Sequence, residues 1–267
     1  MEQPGAGAVM KIVFHEKYFN SDYAGDPAAA PGRLEGIMDI ISGRRAKYEI
    51  IRPEAAGADD ILRAHGAEQF ERIRRDPLLY DLAALAAGGA IMAGERACAG
   101  APAFAVIRPP GHHASADSCW GFCYFNNIGV SLLKLFADGK IRSAFVLDFD
   151  LHTGDGNINI LENRHDGFRV DILNPMSGDR EEYIREVEDR MRKLRDIDIF
   201  AASAGFDQGI DDWGNLLYPE DYRELGRLMK EYSEKLCGGR RYALLEGGYN
   251  HAVLGMNVDA FCEGFGE

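Results

Sequence analysis

Ala144-Phe-Val-Leu-Asp148-Phe-Asp150-Leu-His152-Thr-Gly-Asp155-Gly156 runs from an unbroken apolar stretch straight into carboxylates, a histidine and glycines. Apolar residues without alternation fit a strand buried on both faces, as in a parallel sheet covered by helices. The polar residues then fall at the strand's carboxyl end, where open parallel sheets bind their ligands.

The same grammar recurs along the chain. Apolar runs at 11–15, 104–107, 168–173, 197–204 and 242–245 alternate with helical stretches at 33–42, 78–98, 126–138, 180–195, 218–236 and 251–264. Strand–helix alternation predicts an α/β protein, three layers deep, with a mostly parallel central sheet. No repeat, linker or break in composition interrupts it, so one domain is expected over residues 1–267. Three further strand ends carry polar segments: Arg108-Pro-Pro-Gly-His112-His113-Ala114, Gly205-Phe-Asp207 and Glu246-Gly-Gly-Tyr249.

Composition narrows the function classes. With 267 residues, 46% of them apolar, the chain can bury a sizeable core without disulfides or a structural metal. A net charge of −13 disfavours nucleic acid as a partner and suits cations, although many soluble proteins are simply acidic. Residues 1–9 lack a basic segment before their apolar residues, as a secretory signal requires. The uncharged stretch 82–94 is short for a bilayer span, so no membrane partner is expected. Five cysteines, an odd number without C-x-x-C pairs, suggest buried thiols in a reducing compartment, and the cytoplasm is the default expectation.

Asp148, Asp150 and His152 alternate on an extended segment and therefore share a face. Carboxylates and imidazole suit a divalent metal, yet acidic strand ends are common without one. Asp207 at a second strand end strengthens the metal reading. Two carboxylates and one imidazole with no fourth protein ligand describe an open site of the catalytic type. His112 and His113 stand together in a stiff Pro-Pro-Gly loop, with Asp148 and Asp155 as natural orienting partners. Tyr249 follows two glycines and can donate to a developing oxyanion, although a core tyrosine after a strand is the plainer reading. Cys119 and Cys123 lack a matching second pair and read as packing. His15, His65, His165 and His251 read as structural or surface residues.

Taken together, Pro31-x-Arg33-Leu34, Arg108-Pro-Pro-Gly-His-His113, Gly121-Phe-Cys-Tyr-Phe-Asn-Asn127, Asp148-x-Asp-x-His152, Ser203-Ala-Gly-Phe-Asp207 and Leu245-Glu-Gly-Gly-Tyr249 resemble the histone deacetylase family, including its acetylpolyamine amidohydrolase relatives. The motifs stand in the family's order from near the start of the chain to near its end. The resemblance implies an arginase/deacetylase-like α/β/α fold and metal-dependent hydrolysis of an N-acyl amine by activated water. It implies Asp150, His152 and Asp207 as metal ligands and His113 as general base and acid. His112, held by Asp148, would tune charge beside it, and Asp155 would orient His113. Tyr249 would stabilise the oxyanion, Gly121 and Phe122 would line the acyl-arm channel, and Arg33 would sit near an internal acetate pocket. Zinc is the family expectation, and Fe2+ or Co2+ would suit the same ligands.

Several positions depart from the family pattern. Thr153 replaces a second histidine, and Ile172-Leu-Asn174 stands where relatives carry Ser-Leu-His, which puts a structural K+ in question. The chain is short for the family, which predicts trimmed rim loops. Asp212-Trp-Gly214 lacks the gatekeeping Glu of specialised polyamine hydrolases, and Trp213 is a candidate rim residue. A ureohydrolase of the arginase type is the rival enzyme. Its second metal needs carboxylates where Gly154 and Gly209 stand. A non-catalytic acyl-amine binding protein would be expected to have lost a ligand, the base or the tyrosine, and none is missing. Acetyl-lysine on a protein, an acetylated polyamine or another small acylamine would all present an amide on an alkyl arm. Oligomeric state is not written in these motifs.

Overall fold

In the computed structural model, which describes residues 9–162 and 164–266, strands follow the apolar runs closely. The stretch 1–8, read above for a targeting signal, lies outside the described residues. Strands β1 (Met10–Val13), β2 (Tyr48–Ile51), β3 (Ala103–Ala105), β4 (Ser143–Asp148), β5 (Arg169–Leu173), β6 (Ile199–Ala204) and β7 (Arg241–Leu245) form one sheet. Its order is β2-β1-β3-β7-β6-β4-β5, and every neighbouring pair is parallel. The inner strands β3, β7, β6 and β4 are buried at every residue, which is why their sequences do not alternate.

Helices cover both faces. On one side α4 (Pro77–Cys98) lies under β1, β3, β6 and β7 and packs on α5 (Asn127–Ala137). On the other, α8 (Pro219–Cys237) packs on β6, β7 and α9 (His251–Gly266), which in turn meets α1 (Glu35–Gly43). Helix α7 (Arg180–Lys193) packs beside α8. The predicted three-layer α/β/α architecture is thus present. By length and composition α4 could cross a membrane, because it runs through Asp81 and Glu95 beyond the uncharged stretch; 61% of its apolar window is buried inside the protein. Asp76 starts it by accepting from the Leu78 and Leu79 amides at 3.1 and 3.2 Å, with Pro77 at the first helical position.

The strand order decides where the chemistry goes. After β3 the chain builds β4 three places away, and the late strands β7 and β6 fill the gap. The four polar strand ends, separated by up to about half the chain in sequence, therefore become neighbours along one edge. Strand β2 and the helices α2 (Ala58–Ile61), α3 (Ala67–Arg74) and α6 (Asp155–Leu161) lie outside the apolar runs and helical stretches of the sequence.

Candidate active site

Asp150, His152 and Asp207 converge, each offering a ligand atom within 4.8 Å of the others. His152 Nδ1 lies 3.2 Å from Asp150 Oδ1 and 3.3 Å from Asp207 Oδ2. Backbone amides hold the carboxylates: Gly247 N–H donates to Asp150 Oδ2 at 2.8 Å, and Leu151 N–H to Asp207 Oδ1 at 3.1 Å. Asp207 Oδ2 is buried and accepts no hydrogen bond. Burial and the Asp150 charge push Asp207 up to about 6. Contact with Asp150 and Asp207 pushes His152 up to about 10. Two buried carboxylates with an orphaned oxygen concentrate negative charge, and the donor set fits a divalent cation.

The histidine pair forms a second layer. His112 and His113 have ring centroids 4.0 Å apart. His112 Nδ1 is 3.3 Å from Asp148 Oδ2, and His113 Nδ1 is 2.7 Å from Asp155 Oδ1. Burial opposes charge on His112, but Asp150 and Asp148 outweigh it and hold its pKa well above the ordinary value. Burial and the neighbouring His112 lower His113 to about 4. The pair thus divides into one charged and one neutral ring, an arrangement suited to a proton donor beside a base. Asp148 is anchored from below by Asn157 Nδ2 at 2.9 Å, which also donates to Ser203 Oγ at 3.0 Å.

Tyr249 closes the site from the β7 end. Its backbone N–H and that of Asn250 donate to Asp212 Oδ2 at 2.7 and 2.8 Å. Trp213 stacks on its ring at 4.1 Å, and Phe122 meets it edge-on at 6.0 Å. Burial raises the phenol's pKa, so it stays protonated at neutral pH. Arg33 lies beneath, its guanidinium 5.4 Å from the Tyr249 ring centre; Nε donates to Gly248 O at 2.8 Å and Nη2 to Glu246 O. Arg33 Nη1, Arg108 Nε and Nη2, and the Tyr23 hydroxyl are buried without protein partners. These donors make a buried neighbourhood suited to an anion.

A probable deacetylase of Archaeoglobus fulgidus is 30% identical to this chain over 91% of it and 82% of the relative. The chain belongs to the histone deacetylase family. The family model for the histone deacetylase domain matches residues 71–190. An acetylpolyamine amidohydrolase of Burkholderia pseudomallei is 30% identical over 68% of this chain and 60% of that protein. The crystal structure of the HDA15 HD domain shares the fold, with a TM-score of 0.82 at 20% identity over 97% of this chain and 90% of that one.

Gly121 lies against the His113 ring and Phe122 against Tyr249, so both border the residues described above. The departures are also visible: Thr153 is exposed and lines a surface cavity of about 350 Å³ with Asn174. Asn174 Oδ1 accepts from Gly154 N–H at 2.7 Å, so its side chain ties the end of β5 to the loop after β4. Several residues at the site have no role in the sequence patterns, Arg108 and Tyr23 among them. Glu246, quoted within its motif, is buried and receives the Gly111 and His112 amides at 2.7 and 3.2 Å, with burial raising it to about 7. Asn157, Asp212 and Trp120 are others. Asp212 stands in the sequence only as part of a stretch without a gatekeeper, next to Trp213, the candidate rim residue, which stacks on Tyr249. All five cysteines are free thiols, and His65 is buried in a structural role.

Proposed function

We propose that this protein hydrolyses an N-acyl amine, with acetyl-lysine or an acetylated polyamine as the substrate class, using a divalent metal held by Asp150, His152 and Asp207. The observation that carries this reading is the buried, orphaned Asp207 Oδ2 facing Asp150 and His152, with a neutral histidine and a protonated tyrosine flanking it. When bound, a zinc ion, or Fe2+ or Co2+, supplies Lewis acidity to the amide carbonyl and acidity to water. His113, neutral and oriented by Asp155, takes a proton from the attacking water and returns it to the departing amine. His112, kept charged by Asp148 and Asp150, sets the field beside that base. Tyr249 donates its phenolic hydrogen to the oxyanion. Phe122 and Gly121 border the entry for the alkyl arm, and Arg33 with Arg108 offers unpaired donors to a carboxylate product.

The names of the relatives support both substrate classes, and the net charge of −13 favours a cationic arm in either. A cytoplasmic setting is part of the same proposal. The test is Tyr249→Phe, assayed on a fluorogenic acetyl-lysine peptide and an N-acetylated polyamine. Removing one oxyanion donor is expected to lower kcat by about 10²–10³ with metal content unchanged. Wild-type rates in the variant would remove Tyr249 from the chemistry.

A further inference from the structure

Trp120 is a large apolar side chain left 55% exposed beside His113 and Asp155. Two consecutive left-handed residues follow it, Gly121 at φ 57° and Phe122 at φ 67°. The second is costly for an L-residue with a side chain, about 1–2 kcal/mol. Gly121 is required on different grounds, because a Cβ there would run into the His113 ring. The bend brings the Trp120 indole over His113, with ring centroids 3.9 Å apart and planes inclined by 32°. Its Nε1–H donates to Asp155 Oδ2 at 2.8 Å, while the other oxygen of the same carboxylate receives His113 Nδ1 at 2.7 Å.

We propose that Trp120 is a positioning residue for the His113–Asp155 pair. The Asp155 side chain is 49% exposed, and a carboxylate held through one oxygen turns readily about its last torsion. The indole N–H fixes the second oxygen, so the plane of the carboxylate stays aligned with the His113 Nδ1–H. That alignment keeps the proton on Nδ1 and leaves Nε2 as the basic nitrogen. The indole face restrains the imidazole from the solvent side. This accounts for an exposed tryptophan and a left-handed phenylalanine in one turn, neither of which helps the core. The inference rests on the reading of His113 as the base.

Trp120→Phe keeps a ring for stacking and removes the donor. In metal-loaded enzyme assayed on the acetyl-lysine peptide, it is expected to lower kcat about tenfold with KM within about twofold, since small misplacements at a reacting centre cost rate. Trp120→Ala lowers kcat further, and neither change alters metal content or melting temperature. Asp155→Ala is expected to cost about tenfold less in the Trp120→Phe background than alone, because the two residues act as one unit. The downfield imidazole N–H proton of His113 is expected to be sharp in the NMR spectrum of wild type and to broaden in Trp120→Phe. Wild-type kcat in Trp120→Phe, or losses that simply multiply in the double variant, would overturn the proposal. If wild-type protein turns over neither acyl amine, the proposed function has failed, and the proton resonance still decides whether Trp120 holds the pair.

Discussion

Phe145 on β4 and Phe200 on β6 meet edge to face at 5.3 Å in the middle of the sheet, buried and surrounded by apolar neighbours. A few residues further along the same strands, Asp148, Asp150 and Asp207 are just as buried. The first region satisfies every packing rule, and its burial stabilises the fold. The second breaks them, with like charges facing one another and an unpartnered carboxylate oxygen. What tolerates the second is the first: rigid strands and backbone amides fix carboxylates that would otherwise swing out to water. The site is stabilised from outside itself, as expected where function and stability compete.

Asp207→Asn attacks this contrast at its strongest point. It keeps the shape and removes the charge, so metal should no longer co-purify and turnover should fall at least about 10³-fold. In metal-stripped protein the same change is expected to raise the melting temperature, because a buried like-charge contact is relieved. A lower melting temperature would mean that the carboxylate stabilises the fold on its own.

Two glycines sharpen the comparison. A Cβ on Gly247 would lie 2.5 Å from Asp150 Oδ2 and 2.6 Å from Asp207 Oδ2, whereas one on Gly88 in α4 would strike the Glu54 carbonyl far from the site. Gly247→Ala should weaken metal binding more than tenfold, as measured by competition with a chelator. Gly88→Ala should cost about 1–3 kcal/mol in urea unfolding and leave metal affinity unchanged. Equal effects of the two on metal affinity would refute the separation.

His65 gives the smallest effect. Its Nδ1–H donates to Ser115 O at 3.0 Å and its Nε2 accepts the Asn126 N–H at 2.8 Å, which requires the neutral ring. Burial lowers its pKa to about 4, below the ordinary 6.5. The unfolded chain therefore binds the proton first, and this stability is complete above pH 6.5 and lost as pH falls toward about 4. Between pH 7.5 and pH 5, wild type should lose about 2 kcal/mol more than His65→Gln in urea unfolding. Parallel pH curves for the two proteins would count against it.

The inner sheet and the long helices are legible in the sequence because burial on both faces erases alternation and helix periodicity survives over many turns. Strand β2 is not, since Tyr48 is its single buried residue. Helix α6 is hidden by glycine, asparagines and isoleucines of low helix propensity, and is held by contacts such as that of Asn157 with Asp148. Strand ends gather acidic residues and histidines at one edge, but alternation alone puts Asp148 on a face with Asp150 and His152, whereas it turns to His112 and Asn157. The family resemblance is what singles out Asp150, His152 and Asp207. Trp120 and Asp212 cannot be read, since their roles depend on backbone bends that bring a loop over His113 and a carboxylate under the Tyr249 amide.

The most direct test of the account is turnover of an acetyl-lysine peptide and an N-acetylated polyamine by wild-type protein, with and without chelator, alongside a metal count. The account predicts about one divalent ion per chain, hydrolysis of at least one substrate, and loss of both on chelation with recovery on adding zinc. Hydrolysis unaffected by chelation, or a metal-loaded protein that cleaves neither amide, would contradict it.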